Sequence, residues 1–144
     1  MKKAIYIIGV ICCFLVFTGC THNNGDIGPW FGQWKVERID KDGEADPDYE
    51  GNCMLRFQSS VVTAVLVTYD SGTNTTSTVL KYGNWEENGG YLHLVFKEHS
   101  DQPLEALHLD KECSLKVIRR DGKDKQLQLT KDDGTVYTYH LVKW

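Results

Sequence analysis

The sequence predicts an all-β domain, a single antiparallel up-and-down barrel of about eight strands. Apolar and polar residues alternate in short runs over most of residues 30–144, which is the pattern of half-buried strands. Tight hairpin turns are indicated at residues 88–90 (NGG), 121–122 (DG) and 133–134 (DG), because these residues adopt the turn conformations that join adjacent strands. A meander of this length has exposed edges unless it closes, and closure leaves room for packed side chains or one small ligand. A two-sheet sandwich is the alternative.

The strands follow one another along the chain, separated by polar turns. An acidic turn, residues 41–51, follows the first strand, and the strand at 52–58 places Cys53, Leu55 and Phe57 on one face. The strand at 61–69 is rich in β-branched residues, which favour sheet structure. The eight predicted strands are 32–40, 52–58, 61–69, 77–86, 91–97, 114–120, 125–131 and 135–143.

Residues 98–112 interrupt the strand pattern. Pro103 is followed by a group of apolar residues there, Leu104, Ala106, Leu107 and Leu109. This segment is either one or two helical turns or a loop that carries an apolar plug. It is the longest interruption, and long loops in compact domains are often functional.

The N-terminus has the pattern of an export signal. Lys2 and Lys3 precede an apolar run over residues 4–17, and Gly19 precedes Cys20. About 14 residues at 1.5 Å of rise each span roughly 21 Å, short of the ~30 Å hydrocarbon core of a bilayer. We therefore expect a signal peptide over residues 1–19, a flexible tether over 20–29 and the folded domain over 30–144.

The charge pattern indicates no nucleic-acid partner. The formal net charge of −4 becomes −6 without Lys2 and Lys3, and the longest basic run is Arg119-Arg120. Binding to nucleic acid needs a basic surface that neutralises phosphates. We expect the chain to meet a membrane only through its anchor, since its own charge is repelled by an anionic surface.

Two short motifs resemble known families. Residues 17–20 (FTGC) resemble a lipobox, which implies that Cys20 is lipidated and that the protein is exported and anchored to the outer membrane or another envelope membrane, facing the periplasm or the cell surface. Gly32 and Trp34 resemble the Gly-x-Trp signature of lipocalins, in which the tryptophan closes the narrow end of the barrel. That resemblance implies a lipocalin fold and a basic residue packed on Trp34, either Lys143 or Arg119.

A longer set of motifs is similar to lipocalin-like lipoproteins of Gram-negative bacteria, a group with no assigned function. The motifs are residues 25–34 (GDIGPWFGQW), 57–60 (FQSS) and 82–85 (YGNW). The resemblance covers most of residues 20–144 and implies the barrel more directly than it implies ligand transport.

Cys53 and Cys113 are the two remaining cysteines of the exported domain. A disulfide between them would close a loop of about 60 residues and contribute roughly 4 kcal/mol in the chain-entropy description. Cys53 shares a strand face with Leu55 and Phe57, so a buried free thiol is the alternative.

We expect no catalytic residues, no metal and no cofactor. The histidines do not form a compact cluster with metal-ligand spacing; they are His22, His93, His99, His108 and His140. Ser100 lies between His99 and Asp101, and His108 lies near Asp110, but neighbours in a loop seldom attain the geometry of a nucleophile, a base and an orienting group.

Aromatic residues are the last candidates for a site. Trp30, Phe31 and Trp34 lie at the first strand, and a second group, Tyr137, Tyr139 and Trp144, lies at the last. First and last strands are neighbours in a closed meander, so these side chains could form one patch that either fills the core or lines a pocket.

We therefore expect an envelope protein that binds a small apolar or amphiphilic ligand. A solid barrel that binds another envelope protein is the alternative, and small inward residues such as Ala64 and Ser77 would favour the ligand.

Overall fold

The computed structural model describes residues 28–97 and 99–144. The expected signal peptide, Cys20 and residues 20–27 of the expected tether lie outside the described residues. All eight predicted strands are confirmed, with ends shifted by a few residues. The elements are β1 (Gly32–Lys41), β2 (Glu44–Ala45), β3 (Cys53–Gln58), β4 (Val61–Asp70), β5 (Thr75–Asn88), β6 (Tyr91–Phe96), α1 (Gln102–Ala106), β7 (Glu112–Arg119), β8 (Asp124–Thr130) and β9 (Val136–Lys143).

The strands form one closed antiparallel barrel. Pairing runs in the order β1-β3-β4-β5-β6-β7-β8-β9, and β9 pairs back onto β1 from Trp34↔Lys143 to Lys41↔Tyr137. This closure confirms the predicted eight-stranded barrel, and the two-sheet sandwich was wrong. The ninth strand, β2, lies within the acidic turn and pairs only with the end of β1.

The barrel has two different ends. We call the end where β1 begins the closed end, and the end where β1 finishes the mouth. Because β1 and β9 are antiparallel, Tyr139 pairs with Ile39 and Tyr137 with Lys41, both at the mouth. Trp34 lies at the closed end, so the hypothesis of one aromatic patch was wrong.

The interior is filled by side chains from every barrel strand. Alternate residues point inward, as β3 shows with buried Cys53, Leu55 and Phe57. Of the two small residues that would leave room if they faced inward, Ala64 is inward and fully buried, whereas Ser77 lies on the exposed hairpin that β4 and β5 extend beyond the mouth. The largest fully buried apolar side chains are Trp30, Phe57, Tyr139, Ile39, Leu55, Leu92, Leu94, Leu107, Leu115, Leu127 and Leu141.

Gly83 allows β5 and β6 to approach inside the barrel. A Cβ at this position would lie 2.5 Å from the Val95 carbonyl oxygen and 2.9 Å from Phe96 Cα. Both atoms are backbone, so they cannot move without distorting the ladder. We expect Gly83→Ala to lower the free energy of unfolding by about 1–3 kcal/mol, the usual cost of overpacking. Urea titration measures this, with Gly72→Ala as the control, since its Cβ would meet only a side-chain atom, Asp70 Oδ1, at 3.3 Å and no backbone.

The two cysteines do not form the disulfide that the sequence suggested. Cys53 and Cys113 are buried free thiols. They lie on β3 and β7, which are four strands apart in an eight-stranded ring and therefore face each other across the packed interior. A disulfide requires Cα atoms within about 7 Å, and opposite walls of the barrel do not meet this condition.

Burial also makes both thiols unreactive. It raises the pKa of Cys53 to about 11 and that of Cys113 to about 12, and the thiolate is the reactive form. We expect peptides containing Cys53 and Cys113 to remain largely unmodified by iodoacetamide at pH 8 in the native protein. Both should be alkylated fully in 6 M guanidinium, about the concentration that unfolds most domains. Rapid native labelling of either peptide, read by mass spectrometry, would contradict their placement in the core.

Candidate functional site

The closed end of the barrel is sealed around Trp34. Trp34 Nε1 donates a hydrogen bond of 2.7 Å to the Trp30 carbonyl oxygen. The Lys143 ammonium lies 4.5 Å from the centroid of the indole ring, a cation–π contact. Lys143, and not Arg119, is therefore the basic residue that packs on Trp34. Gly32 has a φ of 111°, and a Cβ there would collide with Lys143 Nζ, so the Gly-x-Trp pair is explained by the lysine that crosses it.

A second lysine at this end was not predicted from the sequence. Lys125 is 2% exposed, its ammonium lies 4.6 Å from the centroid of the Trp34 ring, and it donates to the Arg120 carbonyl oxygen. Burial lowers its pKa. The sequence could have predicted it. Alternate residues of a strand point to the same face, so Lys125 points inward together with Leu127 and Leu129 on β8. These contacts make the closed end a packed structural cap.

The mouth is covered by a segment that we call the plug, residues 99–110. Its centre is α1, which packs against β4 and β5. Leu104 and Leu107 are buried in the core cluster, and the Tyr139 hydroxyl donates to the Leu107 carbonyl oxygen at 2.8 Å. The sequence left a helical turn and an apolar plug as alternatives, and the structure combines them.

Lys81 fixes the beginning of the plug from inside the barrel. Its side chain is fully buried on the inner face of β5. The ammonium donates to Asp101 Oδ1 at 2.7 Å and to the His99 carbonyl oxygen at 3.0 Å. The hydrogen bond from Lys81 lowers the pKa of Asp101 below its ordinary value. Asp101 occupies the N-cap position of α1 without capping it, so its carboxylate serves the contact with Lys81 and not the helix.

His108 fixes the end of the plug. Its Nε2 lies 2.7 Å from Oδ2 of Asp46, whose side chain is 4% exposed, and its ring stacks on Tyr137 with centroids 4.6 Å apart. Burial acts to raise the pKa of Asp46, but hydrogen bonds from His108 and the Asp48 amide outweigh it and the pKa is lowered. The plug is therefore held by polar contacts at both of its ends.

The plug residues that suggested catalysis take part in these structural contacts. Asp101 binds Lys81, and the Ser100 hydroxyl accepts from the Gln102 amide at 3.4 Å. Asp110 pairs with Lys131 at 2.7 Å, away from the contact between His108 and Asp46. Within residues 28–97 and 99–144, no three His, Cys, Asp or Glu side chains converge as metal ligands.

An open groove of about 760 Å³ lies beside the plug on the β7–β9 side of the mouth. Its lining includes Cys113, Leu129 and Tyr137, which are almost fully buried, and charged side chains at the rim. The groove therefore borders inward-facing side chains of the core cluster at the mouth, among them Leu129 and Tyr137. The mouth therefore combines an apolar interior, a small covering segment and convergent polar groups, which are the usual features of a ligand site.

The fold is similar to two solved bacterial structures. A lipocalin-like protein from Bacteroides uniformis matches with a TM-score of 0.61 and 16% identity over 81% of this chain and 100% of its own length. A protein from Bacteroides eggerthii, described as uncharacterized, matches with a TM-score of 0.56 and 17% identity over 80% of this chain and 99% of its own. The sequence matches no family model and no curated protein. The chain therefore has a lipocalin-like barrel fold.

In residues 28–97 and 99–144, no helix has the length and apolar character needed to cross a bilayer.

Proposed function

We propose that this protein is a lipid-anchored, non-enzymatic lipocalin-like protein of the bacterial cell envelope that binds a small apolar or amphiphilic molecule in its barrel. The observation that carries the proposal is the plug, a short segment that seals an apolar interior through contacts made by Lys81 and His108. A fixed structural cap could be made of apolar contacts alone, as most barrel cores are. A segment held by polar contacts at its ends can be displaced when another molecule takes its place.

Two further features of the interior support binding. The groove beside the plug borders core side chains at the mouth, Leu129 and Tyr137. Toward the closed end, on β5, Trp85 Nε1 is a buried donor without a partner among the described residues. An unpaired buried donor is costly, and a ligand atom or a water molecule that entered the barrel would relieve this cost.

The test is identification of molecules that remain bound to the protein after purification from the membranes of the cells that produce it. We expect one chemical class to be enriched when the preparation is extracted and analysed by mass spectrometry. Ala64→Leu, which fills the inner wall, should reduce retention. Val61→Leu is the matched control, because Val61 lies on the same strand but is 38% exposed. An empty protein in every preparation would contradict ligand binding.

The anchor is proposed from Cys20 and the residues before it, and it has a test of its own. Incorporation of a labelled fatty acid should be lost in Cys20→Ala and kept in Cys13→Ala, which changes the same residue type inside the apolar run. The Cys20→Ala protein should also leave the membrane fraction. Labelling that survives Cys20→Ala would exclude this residue as the anchor.

A solid barrel that binds another envelope protein is the second candidate. The packed interior favours it, and so does an apolar outer surface on β4, β5 and β6, where Val61, Tyr82 and Val95 are each more than a third exposed. This function predicts that crosslinking in membranes captures the same protein repeatedly and that Tyr82→Ser with Val95→Ser abolishes the capture. Ligand binding in the barrel predicts no effect of these outer substitutions.

A further inference from the structure

The plug has the chemistry of an amphiphile bound in the mouth. Its acidic group, Asp101, lies at the Lys81 ammonium. Its apolar groups, Leu104 and Leu107, are 2% and 0% exposed in the interior. Along the chain, an acidic group is thus followed by an apolar section that enters the barrel. An anionic amphiphile has the same arrangement, with its acidic head group followed by an apolar tail.

Lys81 points to an acid because its position otherwise suits an apolar side chain. It lies on the inner face of β5, in line with Val79 and Trp85, and is completely buried. Apolar residues of similar volume usually replace buried ion pairs without loss of stability. A buried ammonium must instead be hydrogen-bonded or paired. Lys125 meets this need with a carbonyl oxygen and an aromatic ring, whereas Lys81 meets it with a carboxylate. At the mouth, the barrel therefore presents a fixed cation whose partner is an anion.

Asp101 is a replaceable partner for that cation. Its side chain is 39% exposed, and its second oxygen lies 3.3 Å from the exposed ammonium of Lys111. If the Asp101 carboxylate left Lys81, it would keep its ion pair with Lys111 and become hydrated. The incoming acid would pair with the buried Lys81 ammonium, and no unpaired carboxylate would remain buried.

The surrounding charges separate this position from the acidic side of the mouth. Asp110, Glu112, Asp132 and Asp133 line the groove on the β7–β9 side. Lys81 lies on β5, which is opposite β9 in the ring, with Lys111 beside it. An anionic head group is therefore favoured on the β5 side and disfavoured at the groove rim.

The backbone at the beginning of the plug is strained. His99 has a φ of 136°, a region that residues other than glycine rarely adopt and that persists only where other contacts enforce it. The Lys81 ammonium holds this carbonyl at 3.0 Å. If the Lys81 ammonium bound a new anion and released the His99 carbonyl oxygen, the backbone at His99 could leave this strained conformation.

We infer that the barrel binds an anionic amphiphile, whose acidic head group replaces the Asp101 carboxylate at Lys81 and whose tail replaces Leu104 and Leu107. The inference rests on the proposed ligand-binding function and names the class of its ligand. Asp101 is then the built-in competitor of the head group, and the plug is the competitor of the tail.

The test is photolabelling of the full chain in the membranes of producing cells. The probes are a diazirine-bearing fatty acid and the fatty alcohol and fatty amine with the same chain, and adducts are mapped by peptide mass spectrometry. We expect the acid to give about tenfold more adduct on barrel-lining peptides than the amine or the alcohol, since one charge-assisted hydrogen bond is gained or lost. A phosphatidic acid carrying the same labelled chain distinguishes a free acid from a membrane lipid, and preference for either acid supports the inference.

Three substitutions and a matched control assign the preference to the proposed contact. Asp101→Asn should raise labelling by the fatty acid several-fold, because the competing charge is removed. Asp40→Asn is the matched control, since it makes the same change in a pair with Arg38 at 2.8 Å on the outer face of β1, outside the plug and the groove, and it should have no effect. Lys81→Met should abolish the preference for the acid while adduct with the alcohol persists, and Lys81→Arg should retain the preference.

The outcomes separate this inference from the proposed function. Equal labelling by acid, alcohol and amine would overturn the anionic head group and leave ligand binding in place. Absence of any barrel adduct, in the wild type and in Asp101→Asn, would overturn both. If Lys81→Met fails to fold, the comparison of Asp101→Asn with Asp40→Asn decides, and equal labelling of those two variants would overturn the role of Asp101.

Discussion

Trp34→Ala should lower the free energy of unfolding by about 3–5 kcal/mol, the usual cost of truncating a buried tryptophan. Trp34 is 2% exposed, and its removal leaves a cavity at the closed end that the rigid strands cannot refill. It also removes the aromatic ring against which the buried Lys125 ammonium packs. Since small domains are stable by about 5–15 kcal/mol, this single change removes a large share of the stability.

Chemical denaturation followed by circular dichroism measures the effect, and the chain contains its own control. Trp144 is near the same end of the barrel, where its amide donates to the Gln33 carbonyl oxygen, but its side chain is 72% exposed. Trp144→Ala should change the free energy of unfolding by less than about 0.5 kcal/mol. Equal effects of the two substitutions would contradict the assignment of Trp34 as the closing residue.

Trp34→Phe separates packing from hydrogen bonding at this site. It retains a ring beneath the two lysines but loses the Nε1 donor that binds the Trp30 carbonyl oxygen at 2.7 Å. The lost hydrogen bond costs about 1 kcal/mol. We expect this variant to fold and to lie much closer to the wild type than Trp34→Ala does, which keeps the prediction testable if the alanine variant fails to accumulate.

The fold was predictable because strand period and turn chemistry are local properties of the sequence. Alternation on β3 and glycine at the β5–β6 and β7–β8 turns are visible without the structure. β2 was missed because Glu44 and Ala45 form two backbone pairs without an apolar face. The outer part of β5 was missed for the same reason, since the residues near Thr75 are polar and exposed on both faces.

The site was less predictable because it depends on residues that break the expected composition of an interior. Lysine is ordinarily a surface residue, yet Lys81 and Lys125 alternate with outward residues on their strands and therefore point inside. This alternation could be predicted from the sequence. The pairing of Lys81 with Asp101 could not, since the two residues belong to different elements. The state of Cys53 and Cys113 could not be predicted for the same reason, because a disulfide depends on which strands of the barrel lie next to each other.

The second large effect is expected at the plug. Leu107 is fully buried and is anchored through its carbonyl oxygen by Tyr139. Leu107→Ala should lower the free energy of unfolding by about 2–5 kcal/mol, the range for truncating a buried leucine. Ile118→Ala is the control, because Ile118 is 46% exposed and should cost less than about 0.5 kcal/mol.

The same substitution tests whether the plug can leave the mouth while the barrel stays closed. The plug is a single helical turn held by a few contacts, whereas the barrel ladder is continuous, so loss of Leu107 packing should open the plug first. We expect Leu107→Ala to accelerate hydrogen exchange more at the amides of Leu104, Leu109 and the substituted position 107 than at those of β3 or β8. Uniform acceleration over the whole chain would show instead that plug and barrel unfold as one unit, and a displaceable plug would then be excluded.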